Sequence, residues 1–198
     1  MKTKLLTTIS VSLLFFFNGC DTSMKDSRDG KTYKTVKIGK QVWMAENMNY
    51  ETAGSYCYDD YPANCEKYGR LYTWPAALNA CPEGWRLPTY ADFETLMSNV
   101  GGSDVAGKML KSRTGWEDYK GKSGNGIDKY GFNVLPAGFR ISYGRFGGAG
   151  EHADFWSATE TGEYNAYGLD LYCNFEYALL NIYIKDFANS VRCLRGSN

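Results

Sequence analysis

Residues 68–96, YGRLYTWPAALNACPEGWRLPTYADFETL, join two aromatic-rich turns, a cysteine and a capped helix, with no obvious catalytic group among them. They specify a scaffold more than a reaction. Residues 74–80 read as a short helix whose first turn tolerates Pro75. A stronger helix begins after Thr89, whose hydroxyl is placed to cap it. Asp92 follows three residues later, and Phe93, Leu96, Met97 and Val100 recur at the spacing of one apolar face. Gly101-Gly102 ends this helix, and Ser103 is placed to cap a second over residues 104–111.

Working outward, residues 33–38 and 41–44 are β-rich runs separated by Gly39-Lys40, the pattern of a tight hairpin. Residues 112–129 are rich in Gly, Lys, Ser and Asp and read as a long surface loop. Residues 132–135 and 155–158 read as core strands, with the glycine-rich segment 144–150 between them. In the last β segment, Leu180, Ile182 and Ile184 alternate with Tyr177, Leu179, Asn181 and Tyr183, so the even-numbered set is expected to face the core. Short helices followed by strands make an α+β domain. About 170 residues remain after a leader, which suits one domain, and neither an internal repeat nor a second linker is visible.

The segment 68–96 has companions in DGKTYKTVKIGKQVWMAENMNY (29–50), YGFNVLPAGFR (130–140), FWSATE (155–160) and SVRCLR (190–195). Together, and in this order, they resemble the Fibrobacter succinogenes major paralogous domain, a family of secreted bacterial modules. The resemblance implies a C-type lectin-like fold shared with formylglycine-generating-enzyme relatives: a twisted, mostly antiparallel sheet with two or three short helices and long loops. Segment 112–129 then resembles the long loop region that carries ligands in many C-type lectin-like domains.

The first residues have the order of an export signal: Lys2 and Lys4, then an apolar run through Leu13, Leu14, Phe15 and Phe16, too short to span a bilayer with ease. Phe17-Asn18-Gly19-Cys20 resembles a bacterial lipobox, with Phe17 where Leu is usual. The reading is therefore a lipoprotein signal peptide at 1–19, lipidation at Cys20, a polar lipid-anchored tether over 20–30 and the domain over 31–198. Acyl chains on Cys20 would hold the protein to the bacterial cell envelope, facing periplasm or cell surface, as an anchor and not a span. Removal of 1–19 takes Lys2 and Lys4 and no acids from 22 basic and 22 acidic residues, leaving a net charge of −2. That balance does not suggest nucleic acid.

Six cysteines in an exported chain read as crosslinks. With Cys20 assigned to lipid, five remain. Cys57 and Cys65 bracket YDDYPAN, whose Pro62 and Asn64 favour a turn, so a local bridge is easy. The resemblance implies the second pair, Cys81 with Cys193, because the C-type lectin-like fold brings its first helix region against its last strand. Cys173 is then unpaired. Its neighbours Tyr172, Asn174 and Phe175 supply no cation or histidine to activate a thiol, so a buried or idle role is expected.

Catalytic patterns are weak. Gly115 and Gly121-Lys122-Ser123 miss P-loop spacing by one residue, and the glycines from 144 to 150 do not form GxGxxG. His152 is the only histidine, flanked by Glu151 and Asp154, and is expected on a solvent-facing loop. No nucleophile-elbow serine accompanies it. The EPN, QPD and WND tripeptides that hold calcium in many lectins are missing, so no metal site and no cofactor is expected, although Asn125 and Asp128 offer oxygens.

Aromatic content is the remaining signal: 16 Tyr, 10 Phe and 5 Trp exceed what one small core requires. Trp43, Trp74 and Trp85 are expected in the core. Trp116, Tyr143, Tyr167, Asp170, Tyr172, Asn174 and Asn181 are the ligand-binding candidates, gathered on one surface for stacking and hydrogen bonding. The reading is a non-catalytic binding or adhesion module of the envelope, for a glycan or an envelope or cell-surface protein. The alternatives are an enzyme related to the formylglycine-generating fold, or a structural envelope protein.

Overall fold

The computed structural model describes residues 23–196. The proposed signal peptide and Cys20 lie outside them. Strand β1 (Ser23–Lys25) pairs with β2 (Thr32–Ile38), which turns at Gly39-Lys40 into β3 (Gln41–Met44). The hairpin is as the sequence predicts. Within the segment read as a tether, residues 23–25 are a paired strand and Asp26 is buried, receiving bonds from Arg28.

After β4 (Ser55–Tyr56) the chain forms helix α1 (Pro62–Tyr68), where a turn was predicted. Pro62 supplies a first-turn residue with no orphan N–H, and Gly69 ends the helix at positive φ. Then come β5 (Leu71–Thr73), α2 (Trp74–Ala77), β6 (Trp85–Arg86), α3 (Tyr90–Asn99) and α4 (Ser103–Leu110). Among the described residues there are four short α-helices where two or three are expected. The capping box of α3 forms: Asp92 N–H donates to Thr89 Oγ1 at 3.2 Å and Thr89 N–H donates to Asp92 Oδ2 at 2.8 Å. Ser103 does not cap α4; it is the first residue of the helix, and Gly102 is the capping residue.

The last third is β7 (Ala137–Arg140), β8 (Phe146–Ala149), β9 (His152–Glu160), β10 (Asn165–Tyr172), β11 (Ala178–Ile184), β12 (Ala188–Ser190) and β13 (Leu194–Arg195). Residues 132–135 are not a strand; Val134 makes one isolated bridge to Lys111. The glycine-rich segment instead supplies β8, a hairpin partner of β7.

Two sheets result, a five-stranded one ordered β1-β2-β3-β13-β6 and an eight-stranded one ordered β11-β10-β9-β7-β12-β5-β4 with β8 beside β7. Pairing is antiparallel except where β9 runs parallel to β7 and β12. The architecture is α+β. One core group packs α3 and α4, with Trp43 and Phe132, against Phe155, Leu169 and Leu171. A second gathers Trp156, Tyr72, Met44, Met48 and Cys193 on the other face, since consecutive strand residues point oppositely. Disulfides join Cys57 to Cys65 and Cys81 to Cys193. Of the even-numbered residues on β11, Ala178 and Leu180 join the core, whereas Ile182 and Ile184 are 51% and 48% exposed. The odd-numbered Tyr183 instead packs against Trp156 in the second core group, so the expected core-facing even set holds only at the start of this edge strand.

Candidate functional site

Strands β9 and β10 place Asp154 directly opposite Asp170, and β10 and β11 place Gly168 opposite Asn181. Residues opposite one another share a sheet face, so the even-numbered residues of β10 meet the odd-numbered residues of β11. Three sequence candidates are thereby brought together. Tyr172 donates its hydroxyl to Asp170 Oδ2 at 3.0 Å, and Asn181 Nδ2 donates to the same oxygen at 3.2 Å. Both aspartates are buried. Burial and the neighbouring Asp170 raise the Asp154 carboxyl well above the ordinary range, with the Tyr183 hydroxyl opposing that rise. Burial likewise raises Asp170 to about 6 against the lowering bonds from Tyr183, Asn181 and Tyr172. Two carboxyls set opposite each other in so dry a place cannot both ionise near neutrality, so the pair is held toward its protonated form, Asp154 most of all. Both carboxyls are enclosed between the late strands.

Beside this face, a cavity of about 310 Å³ opens between α4, the loop after it and the β10–β11 turn, lined by Lys108, Lys111, Tyr119, Lys122, Ser123, Asn125, Cys173, Asn174, Phe175 and Glu176. Backbone bonds build it. Gly126, Ile127, Asp128 and Lys129 N–H groups donate to carbonyls of Ser112, Lys108, Lys111 and Met109, laying the loop along the end of α4. Tyr119 and Lys122 exchange a two-way bridge that closes its tip. A Cβ on Gly124 would stand 2.1 Å from the Glu117 carbonyl oxygen, and one on Gly126 would stand 2.3 Å from that of Lys111. Glycine is required for so close an approach.

Lys111 forms the cavity floor. It is 3% exposed, and its ammonium donates to the Tyr172 and Phe175 carbonyls at 2.9 and 3.0 Å while lying 4.9 Å from the Trp116 ring centre. Burial pulls its pKa down to about 8. Lys108 pairs with Glu176 at 2.6 Å at the rim. The walls carry two exposed rings, Tyr119 and Phe175, and Phe175 stacks on Tyr177 with ring centres 4.4 Å apart. Ser123, Asn125 and Asn174 add neutral polar groups.

Other sequence candidates lie elsewhere. Trp116 is 4% exposed and not a surface contact; its indole N–H donates to Ser112 Oγ and to the Val134 carbonyl, so it supports the floor from within the core. Tyr167 points to the opposite face from Asp170 and meets Tyr90 edge-on at 4.6 Å. Tyr143 is 92% exposed, in the turn between β7 and β8. The single surface expected from sequence is thus divided. His152 is a half-buried strand residue, not a loop one, set edge-on to both Phe139 and Tyr172. Burial lowers its pKa. Cys173 is partly exposed within the cavity, and burial raises its thiol pKa. Asn125 Oδ1 and Asp128 Oδ1 accept the Trp116 and Asn133 N–H groups, which engages the oxygens considered for calcium.

Sequence reasoning did not single out Lys111, Lys122, Ser123 or Phe175 for this site. The signal available was the run Lys122-Ser123-Gly124-Asn125-Gly126, two spaced glycines among polar side chains, which marks a loop packed closely on something else.

A second cavity of about 260 Å³ lies over Arg192, lined by Asn47, Glu46, Glu66, Lys67 and Tyr68 among others. Arg192 is buried and donates to Asn47 Oδ1 and to the Phe132 and Asn133 carbonyls. These bonds pin the C-terminal segment to the residues after β3 and to those before β7, a structural use of the cation.

A family model described as the Fibrobacter succinogenes major domain matches residues 36–195. No curated protein and no solved structure matches the chain.

Proposed function

The chain belongs to the Fibrobacter succinogenes major domain family, and from this premise we propose that it is a non-catalytic saccharide-binding module of the bacterial envelope, held there by lipid on Cys20. The carrying observation is the cavity whose exposed rings, Tyr119 and Phe175, flank the neutral polar groups of Ser123, Asn125 and Asn174. An aromatic face covers the apolar C–H side of a sugar ring, while hydroxyl and amide groups match its hydroxyls. Ligand sites combine such apolar walls with a few convergent polar groups, and about 310 Å³ is at the small end of their range. The site would grip one end or one short stretch of a polymer. We read the loop over the late strands as lectin-like in arrangement, with hydrogen bonding and stacking in place of a calcium ion. Nucleophilic chemistry has little support, since burial raises the Cys173 thiol and His152 is packed between rings.

A glycan array probed with residues 21–198 tests the proposal. At least one saccharide should bind, and Tyr119→Ala and Phe175→Ala should each weaken it by about 1–3 kcal/mol, the range of a contact anchor, with little change in melting temperature. Full affinity in both variants, or turnover of the bound sugar, would remove this reading.

A further inference from the structure

We infer that the saccharide is acidic, carrying a carboxylate that sits over the lysines of the cavity; this rests on the binding reading above and adds the charge of the ligand. Three ammonium groups, Lys108, Lys111 and Lys122, line the space against one carboxylate, Glu176, and Lys108 already holds that carboxylate. Among the described residues Lys111 and Lys122 have no ion-pair partner. Lys111 is the more telling. It is the floor of an open cavity, almost fully buried, and its two hydrogen bonds go to neutral carbonyls. A buried cation without a counter-charge is costly, and an anion placed beside it in a poorly solvated cavity gains more than it would beside a surface lysine. The aromatic walls and neutral amides favour a sugar carrying the anion over a bare ion. They also favour it over a flexible acidic peptide, which offers no ring face to stack.

The groups facing Lys111 are Cys173, Glu176 and Lys108. Burial raises the Cys173 thiol pKa, so the thiol stays protonated while Lys111, at about 8, loses its proton. Anion affinity should therefore fall as pH rises through about 8. If the neutral amine contributes no attraction, the loss is about tenfold between pH 7 and pH 9, the linkage expected for one group with that midpoint.

Calorimetry on the full-length protein in detergent, with trigalacturonate, its methyl ester and neutral cellotriose as probes, tests this. Alkylation of Cys173, followed by peptide mass mapping, reports occupancy of the cavity. Trigalacturonate should bind at least tenfold tighter than its ester, weaken with salt and with pH as above, and slow Cys173 alkylation. Lys122→Gln, at an exposed loop position, should reduce trigalacturonate binding several-fold and flatten its salt dependence. If neutral sugars bind as well as the acid and slow alkylation equally, the acidic inference fails and the binding reading stands. If no sugar binds or protects Cys173, both fail. Tighter binding of a polyglutamate peptide than of trigalacturonate overturns the saccharide assignment.

Discussion

Trp116 shows how one residue changes meaning when its surroundings are known. In a stretch rich in Gly, Lys, Ser and Asp it reads as an exposed ring. The folded loop turns it inward, where its indole N–H is bonded to Ser112 and Val134 and its ring lies against the Lys111 ammonium. Trp116→Ala should therefore act on stability first, costing about 3–5 kcal/mol as other large-to-small core changes do. Urea denaturation with a shifted midpoint and unchanged slope would show this; an unchanged midpoint would mean that the ring is a surface contact. Asp170 and Tyr172 share a face because they stand two apart on one strand, whereas Asn181 joins them only through the β10–β11 register, which no local pattern encodes. Trp116 and Lys111 were not legible either, because their burial depends on a loop returning against α4 through glycines at 124 and 126. Local pattern does not encode the partner of such a loop.

Among the elements, β9 and β10 make an unusual pairing by setting Asp154 against Asp170 inside the eight-stranded sheet, one strand in from its β11 edge. In the unfolded chain each carboxyl titrates near its ordinary value of 3.8; in the fold Asp170 rises to about 6 and Asp154 rises well above the ordinary range. The folded state therefore holds more protons than the unfolded state over this window, so unfolding free energy falls as pH rises from about 4 through about 6 and beyond. The pair's contribution is fully present below the unfolded pKa and is lost as each folded pKa is passed. Asp154→Asn keeps the shape and removes the second charge, so its pH–stability profile should be flatter than the parent's from pH 4 to 8. Parallel profiles would show that Asp154 takes up no proton on folding. The capping box of α3 and the hairpin of β2 and β3 were legible from sequence because they depend on neighbours within four residues. Helix α1 and strand β8 were missed because their segments carry turn-forming residues, and the surrounding contacts decided the outcome.

For the whole molecule, the question is what holds together two sheets whose strands are drawn from both ends of the chain. β13 pairs with β3 and β6, and β12 lies against β5, β7 and β9, so the C-terminal residues are inserted among the earlier elements. The Cys81–Cys193 bridge fixes that insertion across 112 residues, while Cys57–Cys65 spans only 8 and braces the region around α1. In the chain-entropy account a crosslink restricts the unfolded chain more as its loop lengthens, which gives about 5 kcal/mol for the long bridge and about 2.5 kcal/mol for the short one. The two bridges also differ in setting. Cys193 is buried in the core beside Trp156 and Met44, so its loss disturbs packing as well, whereas the short bridge joins the buried Cys65 to a partly exposed Cys57. Cys81→Ala/Cys193→Ala should therefore lose about twice the stability of Cys57→Ala/Cys65→Ala, measured by denaturant unfolding of oxidised protein. The short-bridge variant should still fold at 37 °C. Equal losses, or a larger loss at Cys57–Cys65, would mean that the ends of the chain are held by sheet pairing and by Arg192 alone, with the long bridge incidental to the closure.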